Sequence, residues 1–143
     1  MTRQPPGRRD DYRRFFAVTP RWNDNDVFGH VNNAEYYGFF DTAVVRFLIE
    51  GGVLAADGSG QAVVVAESGC RFHREVVFTD RVEIGVRLET IGTSSVRYGL
   101  GVFTNDDVGA AAEGFFVHVF VDRDSKRPTP IPERFRGHFE HLS

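Results

Sequence analysis

The sequence predicts an α+β protein in which one long helix packs against a single antiparallel sheet. A largely apolar helical segment fills residues 33–50, near the start of the chain. Beyond it, apolar and polar residues alternate in several segments, which is the pattern of half-buried strands. Short turns separate these segments, and short turns join antiparallel neighbours. Because one helix is followed by a run of strands, the α+β class is expected.

We expect one domain over residues 1–143, with a loose N-terminal arm at 1–13 and a C-terminal extension at 123–143. A chain of this length can bury a core of its own. The N-terminus has no apolar segment behind its arginines, so it does not match a secretory signal. No apolar run approaches the ~20 residues that span a bilayer. We therefore expect a cytoplasmic protein without membrane insertion.

Charge, cysteine and histidine content argue against several classes of function. The formal net charge of −3 provides no basic surplus for neutralising phosphates, so no nucleic-acid partner is expected. Cys70 is the only cysteine, which rules out an intramolecular disulfide and a cysteine-rich metal site. Outside the loop at 23–31, the four histidines have neither the spacing nor the neighbouring ligand residues of a metal site, so no metal is expected. They are His73, His118, His138 and His141.

The first elements are a strand, a polar loop and the long helix. Residues 15–22 read as a strand in which Pro20 indicates an edge position or a bend. The loop at 23–31 follows. Asn32 is a suitable N-cap, and Glu35 stands three residues later, as in a capping box. Val31 and Tyr36 occupy the positions of a hydrophobic staple. We expect the helix to end at Glu50, before two glycines.

Four further strands are predicted at residues 62–72, 81–91, 94–104 and 109–122. The last of them is apolar on both faces, which is typical of a central strand or of one covered by another subunit. A dimer that continues the sheet edge to edge would also protect the edge strands. The tail at 133–142 is expected to form one or two helical turns.

The loop and the helix start resemble the hotdog-fold acyl-CoA thioesterases of the 4-hydroxybenzoyl-CoA thioesterase type. The similarity runs from about residue 18 to residue 132 in the family's element order. Its strongest part is the string Trp22-Asn23-Asp24-Asn25-Asp26-Val27-Phe28-Gly29-His30-Val31-Asn32-Asn33-Ala34-Glu35-Tyr36. Support continues in Phe72, Val82-Glu83-Ile84, Gly92-Thr93-Ser94-Ser95-Val96 and Arg127-Pro128-Thr129-Pro130-Ile131-Pro132.

The resemblance implies a hotdog fold, in which a five- or six-stranded antiparallel sheet wraps the long helix. It implies homodimers, often paired into tetramers, with active sites at the dimer interface and acyl-CoA as substrate. Because the family needs no metal, the resemblance implies an enzyme that works without a metal or a cofactor. In this family the catalytic carboxylate is the second aspartate of the loop, which is Asp26 in this chain. The thioester carbonyl is held by a backbone N–H at the helix start, which falls at about Asn33.

The chemistry of these residue types agrees with that assignment. A carboxylate can act as a general base on water, or attack a thioester directly to form a mixed anhydride. An unpaired helix N-terminal N–H can stabilise the oxyanion that develops. From spacing alone, Asp26 also fits a turn-forming residue of the Asx type. Asp24 fits a role in ordering the loop.

Six further residues are candidate substrate contacts. His30 could bind substrate, hold Asp26, or pack the loop, and Asn32 is first a helix cap. Tyr36 is expected in the core or in the pocket wall. Glu67 lies mid-strand and could pair with an arginine such as Arg97 or face the site across the dimer. Because some related hotdog enzymes use a glutamate elsewhere as the catalytic acid, Glu67 is also the second candidate for that role. The last two, Ser94 and Ser95, fit either ordinary turn chemistry or a contact with substrate at the interface.

Two other functions on the same fold compete with hydrolysis. A hotdog dehydratase or hydratase would need a histidine with an acidic partner to move protons at carbon, and the string around His30 does not resemble those signatures. A non-catalytic module that binds acyl thioesters is the other alternative, and the intact loop argues against it.

Overall fold

One antiparallel sheet of five strands packs against one long helix in the computed structural model, which describes residues 4–143. The strands lie in the order β1-β3-β4-β5-β2. This arrangement confirms the predicted α+β class and the five-stranded form of the hotdog fold. The elements in chain order are β1 (Arg14–Val18), α1 (Glu35–Glu50), β2 (Ala62–Phe72), β3 (Val82–Ile91), β4 (Ser95–Thr104), β5 (Ala112–Val121) and α2 (Glu133–Glu140).

The apolar arc of α1 forms the centre of the core. Phe40, Phe47 and Leu48 have no exposed surface, whereas Thr42 and Arg46 face outward. Each large apolar side chain that is fully buried stabilises the fold by about 1.5–3 kcal/mol. The sheet contributes its inward row to the same cluster, as the alternation of the sequence predicts: Val82, Ile84 and Val86 from β3, and Val96, Tyr98, Leu100 and Val102 from β4.

The last strand, β5, lies between β4 and β2, which confirms its predicted central position. Its neighbour β2 is an edge strand that pairs only with β5. The register of β2 shifts between Val65 and Glu67, so Ala66 forms a bulge. Long, uncovered edges of this kind invite pairing with another chain.

The first strand is shorter than predicted. It ends at Val18, before Pro20, and pairs only with β3, so it is the other edge of the sheet. The edge position that Pro20 indicated is therefore confirmed, although the proline itself lies outside the strand. Proline cannot donate to the ladder, which explains why pairing stops before it.

The expected loose N-terminal arm is wrong for residues 4–13. The Arg9 guanidinium donates to Glu83 at 2.9 Å and to the Asn105 carbonyl at 2.8 Å, and Tyr12 is buried. Arg9 therefore fixes this segment to β3 and to the turn after β4. Residues 1–3 of the expected arm lie outside the described residues.

The C-terminal extension contributes to the main core. Helix α2 spans two turns, in agreement with the prediction, and buries Phe135 and Phe139 in the same cluster as α1. The His138 ring stacks on Phe47 with centroids 4.0 Å apart, and its Nε2 lies 2.7 Å from the Phe47 carbonyl oxygen. The extension therefore closes the core near the C-terminal end of α1.

A buried histidine lies on the inward face of β5. His118 is 2% exposed, and its Nδ1 lies 3.3 Å from the Tyr98 hydroxyl. Burial lowers the pKa of His118 from 6.5 to about 4, because the charged imidazolium is penalised away from water. The folded protein therefore holds this side chain neutral under conditions in which the unfolded chain would protonate it.

We expect the free energy of unfolding to fall as the pH is lowered from about 6.5 to about 4. Between those values the unfolded chain binds a proton at His118 that the folded chain excludes, which costs up to roughly 3 kcal/mol. His118→Gln should flatten this part of the pH profile in urea unfolding, while the exposed His141→Gln should leave it as in the wild type. Equal slopes for His118→Gln and wild type would contradict the assignment.

Candidate active site

The polar loop between β1 and α1, here called the acidic loop (residues 21–32), is fixed by a buried carboxylate. Asp24 is 3% exposed and accepts hydrogen bonds from the Arg21 backbone N–H at 2.8 Å and the Arg21 Nη2 at 2.8 Å. Burial alone would raise the pKa of Asp24, but the bonds from Arg21 lower it below its ordinary value. The Asp24 carbonyl accepts the Asn32 N–H at 2.9 Å. Asp24 thus has the loop-ordering role expected of it.

A tight turn reverses the acidic loop at Gly29. The Gly29 N–H donates to the Asp26 carbonyl at 3.2 Å, and the Asp26 N–H donates to the His30 carbonyl at 3.0 Å. Gly29 has φ +85°, a left-handed conformation that favours glycine. Beyond the turn, the Val31 N–H donates to the Val76 carbonyl at 2.7 Å. The loop is therefore tied to the segment that follows β2.

Asp26 uses its two carboxylate oxygens differently. Oδ1 accepts the Phe28 N–H at 2.8 Å, which is the Asx turn that spacing alone allowed. Oδ2 accepts one long, weak hydrogen bond, from the Asn32 Nδ2 at 3.4 Å. A structural role and a chemical role for Asp26 are thus compatible, since the turn orients the carboxylate and leaves Oδ2 loosely held.

Regular helix begins at Glu35, two residues later than the predicted first position at Asn33. Asn32 still caps this end, because its Oδ1 accepts the Ala34 N–H at 2.9 Å and its carbonyl accepts the Glu35 N–H at 3.0 Å. The predicted capping box with Glu35 is not formed, since the Asn32 N–H donates to Asp24 instead. Within residues 4–143, the N–H of Asn33 has no hydrogen-bond partner.

These groups meet at a cavity of about 430 Å³ between the acidic loop, the start of α1 and the end of β2. Tyr36 packs edge-on against Phe72 with ring centroids 4.9 Å apart and is buried, which raises its pKa to about 12. Four of the predicted site residues line this cavity, namely Asp26, His30, Asn33 and Tyr36. Asn32 does not line it but is hydrogen-bonded to Asp26. The lining residues are Asp26, Phe28, His30, Val31, Asn33, Tyr36, Phe72, His73, Arg74 and Glu75.

His30 stands on the cavity wall between two oxygen atoms. Its Nδ1 lies 3.3 Å from the Val31 carbonyl oxygen, and its Nε2 lies 3.8 Å from Oε1 of Glu75. The imidazole therefore contacts Glu75 and not Asp26. His30 is placed to touch a bound ligand, and the structure records no bond by which it holds Asp26.

The segment after β2 contributes cavity residues that sequence reasoning missed. His73, Arg74 and Glu75 follow β2 directly and form no motif. The available signal is that three polar residues end a long, mostly apolar strand, which marks where the chain leaves the sheet. Arg74 lines the cavity, but its guanidinium is bonded to residues outside the lining, to Thr104 at 2.7 Å and to Asp107 at 3.1 Å.

Glu67 is not part of this cavity in one subunit. It is exposed on the edge strand, so the cost of burying a lone carboxylate does not arise. The suggested pair with Arg97 is wrong, because the Arg97 Nε donates to Glu89 at 2.7 Å on the neighbouring strand β3.

Ser94 and Ser95 are also distant from the cavity within one subunit. Ser95 pairs with Val119, near the end of β5, whereas Phe72 at the cavity pairs with Ala112, at the start of β5. At about 3.3 Å per residue, these positions are separated by most of the length of the strand. A contact of either serine with the same ligand would require a second subunit.

Residues 4–143 contain neither a metal-binding cluster nor a membrane-spanning helix. No group of three or more His, Cys, Asp or Glu side chains is arranged to hold a metal ion. No helix in that range is long and apolar enough to cross a membrane.

Comparison with known proteins places the chain among thioesterases. The model of the thioesterase-like superfamily matches residues 20–139. The structure is similar to that of the PA5185 protein of Pseudomonas aeruginosa strain PAO1, with 44% identity, coverage of 97% of both chains and a TM-score of 0.92. A thioesterase from Thermus thermophilus, solved with coenzyme A and Zn, is 30% identical, with coverage of 90% of this chain and 98% of that one and a TM-score of 0.76.

A curated relative matches over a shorter region. The YsmA protein of Bacillus subtilis (strain 168) is 26% identical over 82 residues, which are 57% of this chain. The match spans about half of that relative's own length, 55%. It adds a distant relative without extending the region of similarity.

Asp24→Asn should lower the free energy of unfolding by about 1–3 kcal/mol, because the amide would place a buried NH2 group against the N–H donors of Arg21, where the carboxylate now accepts with both oxygens. Asp106→Asn is the matched control, since its side chain is 99% exposed and its change should stay within about 0.5 kcal/mol. Urea unfolding measures both. Equal effects of the two substitutions would contradict the anchoring role of Asp24.

Proposed function

Because the chain belongs to the thioesterase-like superfamily and is a thioester hydrolase, we propose that it cleaves acyl-CoA to a free acid and CoA. In this proposal Asp26 is the general base or the nucleophile, and the N–H of Asn33 receives the oxyanion. The observation that carries it is that a loosely held carboxylate oxygen and an unpaired helix-start N–H border one cavity.

Asp26 can act in the reaction in two ways, as a base that moves protons or as a nucleophile. With Asp26 as base, the carboxylate takes a proton from water while the water oxygen bonds to the thioester carbon. The tetrahedral intermediate then breaks its C–S bond, and the thiolate of CoA takes the proton back from Asp26. With Asp26 as nucleophile, Oδ2 bonds to the carbon, CoA leaves, and water hydrolyses the resulting anhydride.

The helix start supplies the electrostatic part of catalysis. The Asn33 N–H precedes the first turn of α1, where backbone dipoles add a positive field. A donor that points at a developing oxyanion typically contributes about 10²–10³ in rate. The capping bonds of Asn32 hold this end of the helix in place, so the donor needs little reorganisation during the reaction.

The cavity wall suits an acyl group. Tyr36 and Phe72 present an apolar surface next to Asp26, and Phe28 extends it on the exposed side. An acyl chain or ring that packs there would place its carbonyl carbon near the carboxylate. This binding energy fixes the orientation of the reacting groups, which is a major source of rate enhancement.

We also propose that the protein works as a homodimer, and that pairs of dimers can form tetramers. Val65 pairs with His118, whose side chain lies on the buried face of the sheet, yet Val65 is 46% exposed. An inward-facing valine on an uncovered edge strand indicates that another chain covers it. A second copy that pairs along β2 would also bring its own Glu67, Ser94 and Ser95 within range of a shared site.

Asp26→Asn should reduce the release of free thiol from acyl-CoA by at least about a hundredfold, because the amide can neither take a proton nor attack carbon. A panel of short, long and aromatic acyl-CoAs identifies the substrate on which to measure it. Asp106→Asn is the control and should keep wild-type turnover, with both variants checked by thermal unfolding. Unchanged turnover in Asp26→Asn would contradict the proposed role. Binding of the whole panel without hydrolysis would instead favour a binding module.

Val65→Lys should shift the protein toward monomers in light scattering after size exclusion, because the charge would be trapped at the edge-to-edge contact. Val108→Lys is a matched control, since Val108 is 47% exposed on a turn away from β2. A Val65→Lys protein that keeps the mass of the wild type would argue against pairing along β2.

A further inference from the structure

The cavity that holds Asp26 contains a second carboxylate. Glu75 lines it, and the side chain of Glu75 is 74% exposed. Its one ion-pair contact within residues 4–143 is the long one with His30, at 3.8 Å. At 3.8 Å this contact is long for an ion pair, and Glu75 has no shorter one within the described residues, so its carboxylate remains available to a ligand in the cavity.

Cationic side chains offset this charge only in part, because the one guanidinium at the cavity is ion-paired outside it. Arg74 is the only Lys or Arg among the lining residues, and Asp107 neutralises it at 3.1 Å on the far side of the segment. Its guanidinium also donates to Thr104 and to the Gly109 carbonyl, so all of its bonding partners lie outside the cavity lining. Asp26 and Glu75 therefore make the interior of the cavity negative, whereas the aromatic walls are neutral.

We propose that Glu75 determines substrate specificity by rejecting acyl groups that carry a carboxylate, so that the enzyme prefers neutral acyl groups of the same size. The proposal rests on the acyl-CoA hydrolysis proposed above, with the acyl group in this cavity. A carboxylate on the acyl group would approach two like charges, and repulsion between charges a few Å apart at a protein surface is large enough for roughly a tenfold discrimination. Asp26 is required for the proposed reaction, so it cannot be replaced without loss of activity. Glu75 is the charged residue of the cavity whose substitution can change specificity.

The position of Glu75 separates this role from catalysis. It contacts His30 on the cavity wall, and it forms no hydrogen bond with Asp26 or Asn33 within the described residues. Glu75→Gln keeps the size of the side chain and an oxygen that faces His30, so it changes the charge and little else. Glu75→Lys reverses the charge and tests the same effect with the opposite sign.

Binding of two CoA thioethers tests the proposal without depending on turnover. Both carry the same four-carbon chain on sulfur, ending in a carboxylate in one and in the isosteric primary amide in the other. Isothermal titration gives the ratio of the two Kd values, acid over amide. We expect a ratio well above one for the wild type, a ratio about tenfold lower for Glu75→Gln, and a still lower one for Glu75→Lys. Glu140→Gln, an exposed glutamate on α2, removes the same charge elsewhere and should keep the wild-type ratio.

Two results would overturn the role of Glu75: a wild-type ratio near one, or an unchanged ratio in Glu75→Gln when both thioethers bind. Either can occur while acyl-CoA is hydrolysed, so the proposed function would stand. If neither thioether binds and no acyl-CoA releases thiol, the proposed function fails, and the role of Glu75 fails with it. An equal loss of discrimination in Glu140→Gln would show an effect of net charge alone and would also overturn the proposal.

Discussion

The site depends on one buried carboxylate, that of Asp24. Its oxygens accept bonds from Arg21, and its carbonyl accepts the Asn32 N–H, so both ends of the acidic loop are fixed to one residue. Because the Asn32 N–H is used in this way, the capping box cannot form. The next N–H, that of Asn33, lies at the helix start, where no intrahelical partner exists, and it has no partner within residues 4–143. A buried charge is costly unless it is fully bonded. The same bonds that satisfy Asp24 therefore fix the loop beside the donor that the proposed reaction needs.

Strand β2 contributes to the site at its C-terminal end and has an open edge along its length. The end of β2 supplies Phe72 to the cavity wall, and the segment after it bonds to the acidic loop through Val31. The open edge of β2 leaves Val65 half covered. The strand that completes the cavity is thus the one that we expect to meet a second subunit. The first turn of α1 borders the cavity, and its apolar arc packs into the core that it shares with the sheet.

Much of this architecture could be predicted from the sequence. Alternation at Val82, Ile84 and Val86 identified an inward face, and the doubly apolar β5 identified a central strand. These are local patterns with a direct physical cause. The arm at 4–13 could not be predicted, because Arg9 is fixed by Glu83 and by a turn distant in sequence. Glu75 was missed for the same reason, since only the folded chain brings the end of β2 to the acidic loop. Asp26 and Asn33 were found by resemblance and by the chemistry of a helix start, and their catalytic roles remain proposals.

A crystal structure with a CoA ketone, in which a methylene group replaces the thioester sulfur, tests the central claim most directly. Such an analogue keeps the carbonyl group and cannot be hydrolysed. The account predicts that its carbonyl oxygen accepts the Asn33 N–H at about 2.7–3.1 Å, with Oδ2 of Asp26 facing the carbonyl carbon directly or through one water. A carbonyl oxygen bound elsewhere, with the Asn33 N–H left in solvent and Asp26 still engaged only with Asn32 and Phe28, would contradict it.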